Sequence, residues 1–169
     1  AVGAMMKLAK GNDYHCLPES VEGGEIRGRY SIIGVRPDLI WRCSGNNVEI
    51  NRQAETDLLA FTPDKHLPLT SLRALMKEGE MPNTAPLPPM ASGLFGYLGY
   101  DMIRHVEKVP DNNPHTLDVF DTILMRPSVI AIFDRLKDSI TLAVPIRPAD
   151  WQTAGAAWVD AQSRLDDTE

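Results

Sequence analysis

Apolar positions along this chain recur mostly at the spacing of strands, and helical spacing is confined to a few short stretches. Arg29 to Val35 is rich in β-branched residues and predicts a strand, which Pro37-Asp38 should break. Leu39 to Cys43 predicts a second strand. Ser44-Gly45-Asn46-Asn47 is a strong turn, and Val48-Glu49-Ile50-Asn51 alternates apolar and polar as the return strand. Asp121 to Phe133 predicts a long strand, Asp134 to Asp138 a turn, and Ser139 to Pro145 its partner. Ala91 to Asp101, with Gly93, Gly96 and Gly99, reads as a strand passing close to another backbone and then turning. Tyr14 to Leu17 reads as a short strand ended by Pro18, and Val21 to Glu25 as a flexible turn.

Helices are fewer. Met5 to Lys10 can close a short one, stopped by Gly11-Asn12-Asp13. Thr62-Pro63-Asp64 opens a loop, and Pro68-Leu69-Thr70 starts a helix capped by Thr70, with Leu72, Leu75 and Met76 on one face. Met81 to Pro89 carries four prolines and predicts an extended connector. Asp101 to Val106 predicts a short helix. A final helix begins after an Asp150 cap, with Trp151, Ala154, Trp158, Ala161 and Leu165 on one stripe. The order predicts an α+β fold of mostly antiparallel sheets with flanking helices, in a single domain over residues 1–169.

Composition narrows the possible functions. A chain of 169 residues can bury one real core, and its formal net charge of -6 with scattered basic residues argues against nucleic acid or an anionic membrane as partner. No apolar run approaches the roughly 18 residues of a membrane span. Cys16 and Cys43 form no CxxC pair and read as small, half-buried apolar residues of a reducing compartment. Both ends read as cuts in a longer protein.

Most candidate chemistry has an ordinary structural explanation. The glycines spell neither a phosphate loop nor a dinucleotide fingerprint. No two of His15, His66, His105 and His115 have the spacing of a helical metal site, and no nucleophile motif occurs. Glu19, Ser20 and Arg29 differ in kind. A free amino acid needs an acceptor for its ammonium and a donor fork for its carboxylate. Glu19 supplies the acceptor, Arg29 the fork and Ser20 an adaptable hydroxyl, all at strand ends beside glycines. A surface salt bridge explains the same residues, and their spacing alone does not choose between the two.

Three runs resemble one family in the expected order. They are Leu17-Pro18-Glu19-Ser20-Val21-Glu22-Gly23-Gly24-Glu25 with Gly28 to Gly34, then Gly93 to Asp101, then Leu124-Met125-Arg126-Pro127 with Phe133-Asp134. Together they resemble the N-terminal region of anthranilate synthase component I, over essentially the whole chain. The resemblance implies the N-terminal part of a layered α/β/β/α fold in a cytoplasmic enzyme. That enzyme converts chorismate to anthranilate and pyruvate with Mg2+ and ammonia, supplied by a glutamine amidotransferase subunit or fused domain. It also implies feedback inhibition by L-tryptophan, bound near Pro18, Glu19, Ser20 and Arg29. Pro18 departs from the family's usual Leu, which bears on pocket shape and on the strength of inhibition.

The family's catalytic motifs do not occur here, so the resemblance places chorismate and Mg2+ in a C-terminal catalytic domain outside this chain, with no cofactor in this segment. The segment alone is then expected neither to turn over chorismate nor to bind tryptophan tightly. With strand edges normally covered by that domain, it is expected to self-associate. Two other readings stand beside this one. They are the same region of aminodeoxychorismate synthase component I, in the folate branch, and a non-enzymatic amino-acid-binding scaffold.

Overall fold

The computed structural model describes residues 1–11, 13–19, 28–80, 87–110, 112, 117, 119–147 and 152–168. The element order is α1 (Val2–Leu8), β1 (Tyr30–Ser44), β2 (Asn47–Asn51), β3 (Phe61–Asp64), α2 (Pro68–Glu78), β4 (Phe95–Leu98), a 3-10 helix (Tyr100–His105), β5 (Thr122–Asp134), β6 (Ser139–Ala143) and α3 (Ala154–Asp166). The strands form one sheet in the order β3-β2-β1-β5-β4, with β6 also on β5. The expected α+β class with antiparallel pairing is what the chain adopts.

Contacts divide the chain into two compact units. The first holds Ala1–Pro37, Met81–Gly93 and Pro127–Glu169. Its core joins Ile33, Val35, Val129 and Ala131, with Met5, Leu8 and Leu17 packed against them. Ile32, Ile130 and Ile132 are also buried. Adjacent residues of a strand point to opposite faces, so both faces of β1 and β5 are covered here. In α3 the buried positions are Ala157 and Ala161, one turn apart. The expected stripe is thereby corrected, since Trp158 is 63% exposed. Small alanines let a helix approach closely, which a Trp at the same position would prevent. Asp150 and Trp151 lie outside the described residues, and the helix cap is Thr153, whose Oγ1 accepts from the Ala156 amide at 3.2 Å.

The second unit holds Asp38–Glu80 and Leu94–Arg126. Its core is built on Leu39, Trp41 and Cys43 of β1 and Val48 and Ile50 of β2. Alternation along each strand sends these residues to one face. Leu75 of α2 and Met102 of the 3-10 helix close over them. The β1–β2 hairpin has the expected turn, with register running from Ile40 opposite Asn51 to Ser44 opposite Asn47.

Four expectations are corrected. Pro37 does not split β1, which runs on through it, and Arg36 just before it takes a left-handed φ of 51°. Thr62-Pro63-Asp64 is part of strand β3, tolerable because β3 is at the sheet edge and Pro needs no partner on its open side. The α2 helix begins earlier than expected. Pro68 occupies its first turn, Leu67 holds the cap position without a side-chain bond, and Thr70 lies within the helix. Met76, expected on the apolar face, is 61% exposed, and Leu69 and Leu72 pack with Leu75 instead.

Gly96 of β4 leaves no room for a side chain: a Cβ there would sit 2.0 Å from the Ile123 carbonyl oxygen. Gly96→Ala should therefore lower stability by more than about 2 kcal/mol, because the obstacle is backbone. A urea midpoint unchanged from wild type would contradict this. Fully buried Trp41 donates its indole N–H to Ser71 Oγ at 2.9 Å. Ser71→Ala strands that donor and should remove about 1–3 kcal/mol by the same measurement.

Candidate functional site

The segment before β1 runs alongside it. Cys16 and Gly34 exchange backbone hydrogen bonds of 3.0 Å each, and the Ile32 amide donates to the Pro18 carbonyl at 3.1 Å. Gly34 makes this approach possible, since a Cβ would lie 2.7 Å from Pro127 Cγ and 2.9 Å from Cys16 Sγ. Pro18 can accept but not donate, so it keeps half of its pairing with Ile32. Glu19 then falls opposite Ser31. The departure at residue 18 is thus compatible with this register.

Arg29 stands at the start of β1. Its Nε and Nη2 donate to the two carboxylate oxygens of Asp134 at 2.8 and 2.6 Å. Asp134 ends β5 and also accepts from the Leu136 and Lys137 amides at 3.1 and 3.2 Å, which closes the turn into β6. The Arg29 hydrogen bonds, with help from these amides and against partial burial, hold the Asp134 carboxyl down at about 2. Next in sequence, Arg135 donates its amide to the Arg29 carbonyl at 3.0 Å. Its Nη2 donates to Ser31 Oγ at 3.1 Å and stands 3.7 Å from Glu19 Oε1. The Arg135 side chain is 57% exposed.

Of the residues expected to form an amino-acid site, Pro18, Glu19 and Arg29 therefore lie around the first residues of β1. Ser20 lies outside the described residues. Arg29 is bound by a carboxylate of its own chain. Sequence reasoning missed Ser31, Asp134 and Arg135. Asp134 and Arg135 read as turn residues, and no local signal announces a partner more than one hundred positions away. Cys16 is no nucleophile candidate, because burial pushes its thiol up to about 11.

The second unit carries a separate shallow cavity of about 280 Å³, bounded by Arg52, Thr62, Asp64, His66, Ser71 and Glu78. Its charged groups are engaged with each other. Arg52 donates twice to Glu78 at 2.8 and 2.9 Å, and His66 Nδ1 is 2.8 Å from Asp64 Oδ1. Burial pushes the Asp64 carboxyl up, but hydrogen bonds from Ser71 and His66 bring it below its usual value. Asp64 sits between the hydroxyl and the imidazole, so the Ser–His–Asp order of an activated nucleophile is not formed.

No protein-family model matches the chain. Over 98% of its length it is 49% identical to anthranilate synthase component 1 of Cereibacter sphaeroides, of which it covers 33%. It is homologous to the N-terminal third of anthranilate synthase component 1. The likeness extends to the component 1 protein of Thermus thermophilus, at 32% identity over 94% of the chain and 32% of that protein. The solved anthranilate synthase component I of Streptococcus pneumoniae superposes with a TM-score of 0.63 at 18% identity, over 95% of this chain and 34% of that one. That likeness establishes the fold, and the chain spans about a third of the length of these component 1 relatives.

The Arg29–Asp134 pair has a definite acid signature. The Asp134 carboxyl titrates near 2 in the folded chain and at about 3.9 when unfolded. Its contribution to stability is therefore complete above about pH 4 and is lost as pH falls toward about 2. Asp134→Asn should flatten the stability curve across that window. Urea midpoints of both proteins from about pH 2 to about pH 5 check this, and parallel curves would count against it.

Proposed function

We propose that this chain is the N-terminal regulatory part of an anthranilate synthase large subunit and forms one wall of a tryptophan feedback site. The observation that carries the reading is the 49% identity over 98% of the chain to a protein of that name. The relatives above bear the anthranilate synthase name, which favours the tryptophan branch over the folate branch and over a free-standing scaffold.

In this reading the whole protein is a cytoplasmic lyase that joins ammonia to chorismate and releases anthranilate, pyruvate and water. A glutamine amidotransferase supplies the ammonia, and Mg2+ assists in the catalytic domain. Among the described residues no group of His, Cys, Asp and Glu is arranged to hold a metal ion. In this reading the side chains of this segment serve to bind and position the effector.

Tryptophan would place its ammonium at Glu19 near the start of β1, with the rest of its pocket supplied by the catalytic domain. A ligand that bridges two domains favours one relative orientation of them. It inhibits only if that orientation binds chorismate less well, because a ligand shifts states by differential affinity alone.

In the full-length enzyme, Glu19→Lys or Ser20→Phe should relieve tryptophan inhibition and leave basal turnover largely intact. Inhibition curves with and without tryptophan measure this. Loss of basal activity with inhibition unchanged would contradict the reading. The isolated chain should bind tryptophan only weakly, and micromolar affinity by calorimetry would show that the second wall is not needed.

A further inference from the structure

Two guanidinium groups stand at the start of β1, and they are not equivalent. Arg29 is bound side-on by Asp134 through two hydrogen bonds. This pair is locally neutral, and a second carboxylate approaching Arg29 would meet the charge of Asp134. Arg135 is different. Among the described residues its side chain makes one hydrogen bond, to the neutral Ser31 hydroxyl at 3.1 Å, and it is otherwise half exposed. Its Nη2 approaches Glu19 Oε1 only to 3.7 Å, beyond hydrogen-bonding distance.

A cation and an anion thus stand side by side, with most of their hydrogen-bonding capacity unused among the described residues. An α-amino acid carries its ammonium and carboxylate on one carbon, so the two charges are about as close together as those of this pair. Laid across it, the ligand would bring each of its charges to the opposite one. Both contacts would then be charge-assisted hydrogen bonds.

Resting on the tryptophan-site reading above, we infer that Arg135, and not Arg29, receives the α-carboxylate of the effector while Glu19 receives its ammonium. Ser31 is nearly fully buried and fixed in β1, and it aims the Arg135 side chain. Arg29 is a positioning residue. It fastens Asp134 at the head of the turn, and its carbonyl accepts from the Arg135 amide at 3.0 Å, so that it holds the backbone from which Arg135 extends.

The test compares L-tryptophan with L-tryptophanamide, which lacks the carboxylate charge, as ligands of the full-length enzyme. Arg135→Gln should weaken tryptophan roughly tenfold to a hundredfold, the size of a lost charge-assisted hydrogen bond, and leave tryptophanamide within about twofold. Arg135→Lys should fall between. Arg29→Gln should lower the thermal midpoint yet preserve the preference for tryptophan over its amide, a separation that a purely structural role of Arg135 would not produce. If Arg29→Gln abolishes that preference and Arg135→Gln retains it, the assignment is overturned. If tryptophan inhibition is lost in Glu19→Gln but unaffected in Arg135→Gln, the inference fails while the feedback reading stands. No response of the wild-type enzyme to tryptophan would overturn both.

Discussion

Strands β1 and β5 carry adjacent buried residues, Ile32 beside Ile33 and Val129 beside Ile130, so neither strand has a solvent face along these stretches. A strand packed on both sides resists a slip by one residue, because every side chain would move to the opposite face, where the neighbours are shaped for another. The register of this region is therefore fixed, and the polar residues at its margins are fixed with it. Cys16 pairs with Gly34, Glu19 lies opposite Ser31, and Arg135 bonds to the backbone of Arg29. The site is a consequence of that register.

Several polar groups that enter the interior do so in satisfied sets, whereas the buried hydroxyls of Thr122 and Ser128 have no hydrogen-bond partner among the described residues. Trp41, Ser71 and Asp64 form a chain of hydrogen bonds across the core of the second unit. Arg126 donates to Asp38 at 2.6 Å with both side chains largely covered. Arg42 bonds to Glu49 and stacks 3.6 Å above Phe61 and 4.4 Å from Phe120. Burying such groups gains little net stability over apolar packing, but losing one partner leaves a charge or donor stranded. They act as constraints on which arrangement is allowed. Arg29 and Asp134 do the same for the turn that carries Arg135.

The same reasoning separates the two candidate regions. In the cavity beside α2, Arg52, Glu78, Asp64 and His66 are engaged with each other. At the start of β1 the Glu19 and Arg135 charges approach without bonding, which is the condition of a surface prepared for a ligand of mixed charge. The proposed tryptophan site names the amino acid that such a surface would meet.

Much of this molecule was legible in its residues. The β1–β2 hairpin, the β5–β6 hairpin and the α+β class followed from alternation and turn chemistry, which act between neighbours in the chain. The family followed from motifs in order. The residues around Glu19 were legible as candidates, but their partners were not. Pro37 and Pro63 looked like strand breakers, because a local rule cannot know that one follows a residue with left-handed φ inside a continuous strand and the other sits on an open edge. Trp158 looked buried, because helical spacing says which residues share a face but not which face is covered. Composition and period thus determined by themselves most of the elements and the class, and offered Glu19 and Arg29 as candidates. Only the tertiary structure decided that Asp134 claims Arg29 and that Arg135 stands beside Glu19, since these pairings join residues over one hundred positions apart through the register of two buried strands.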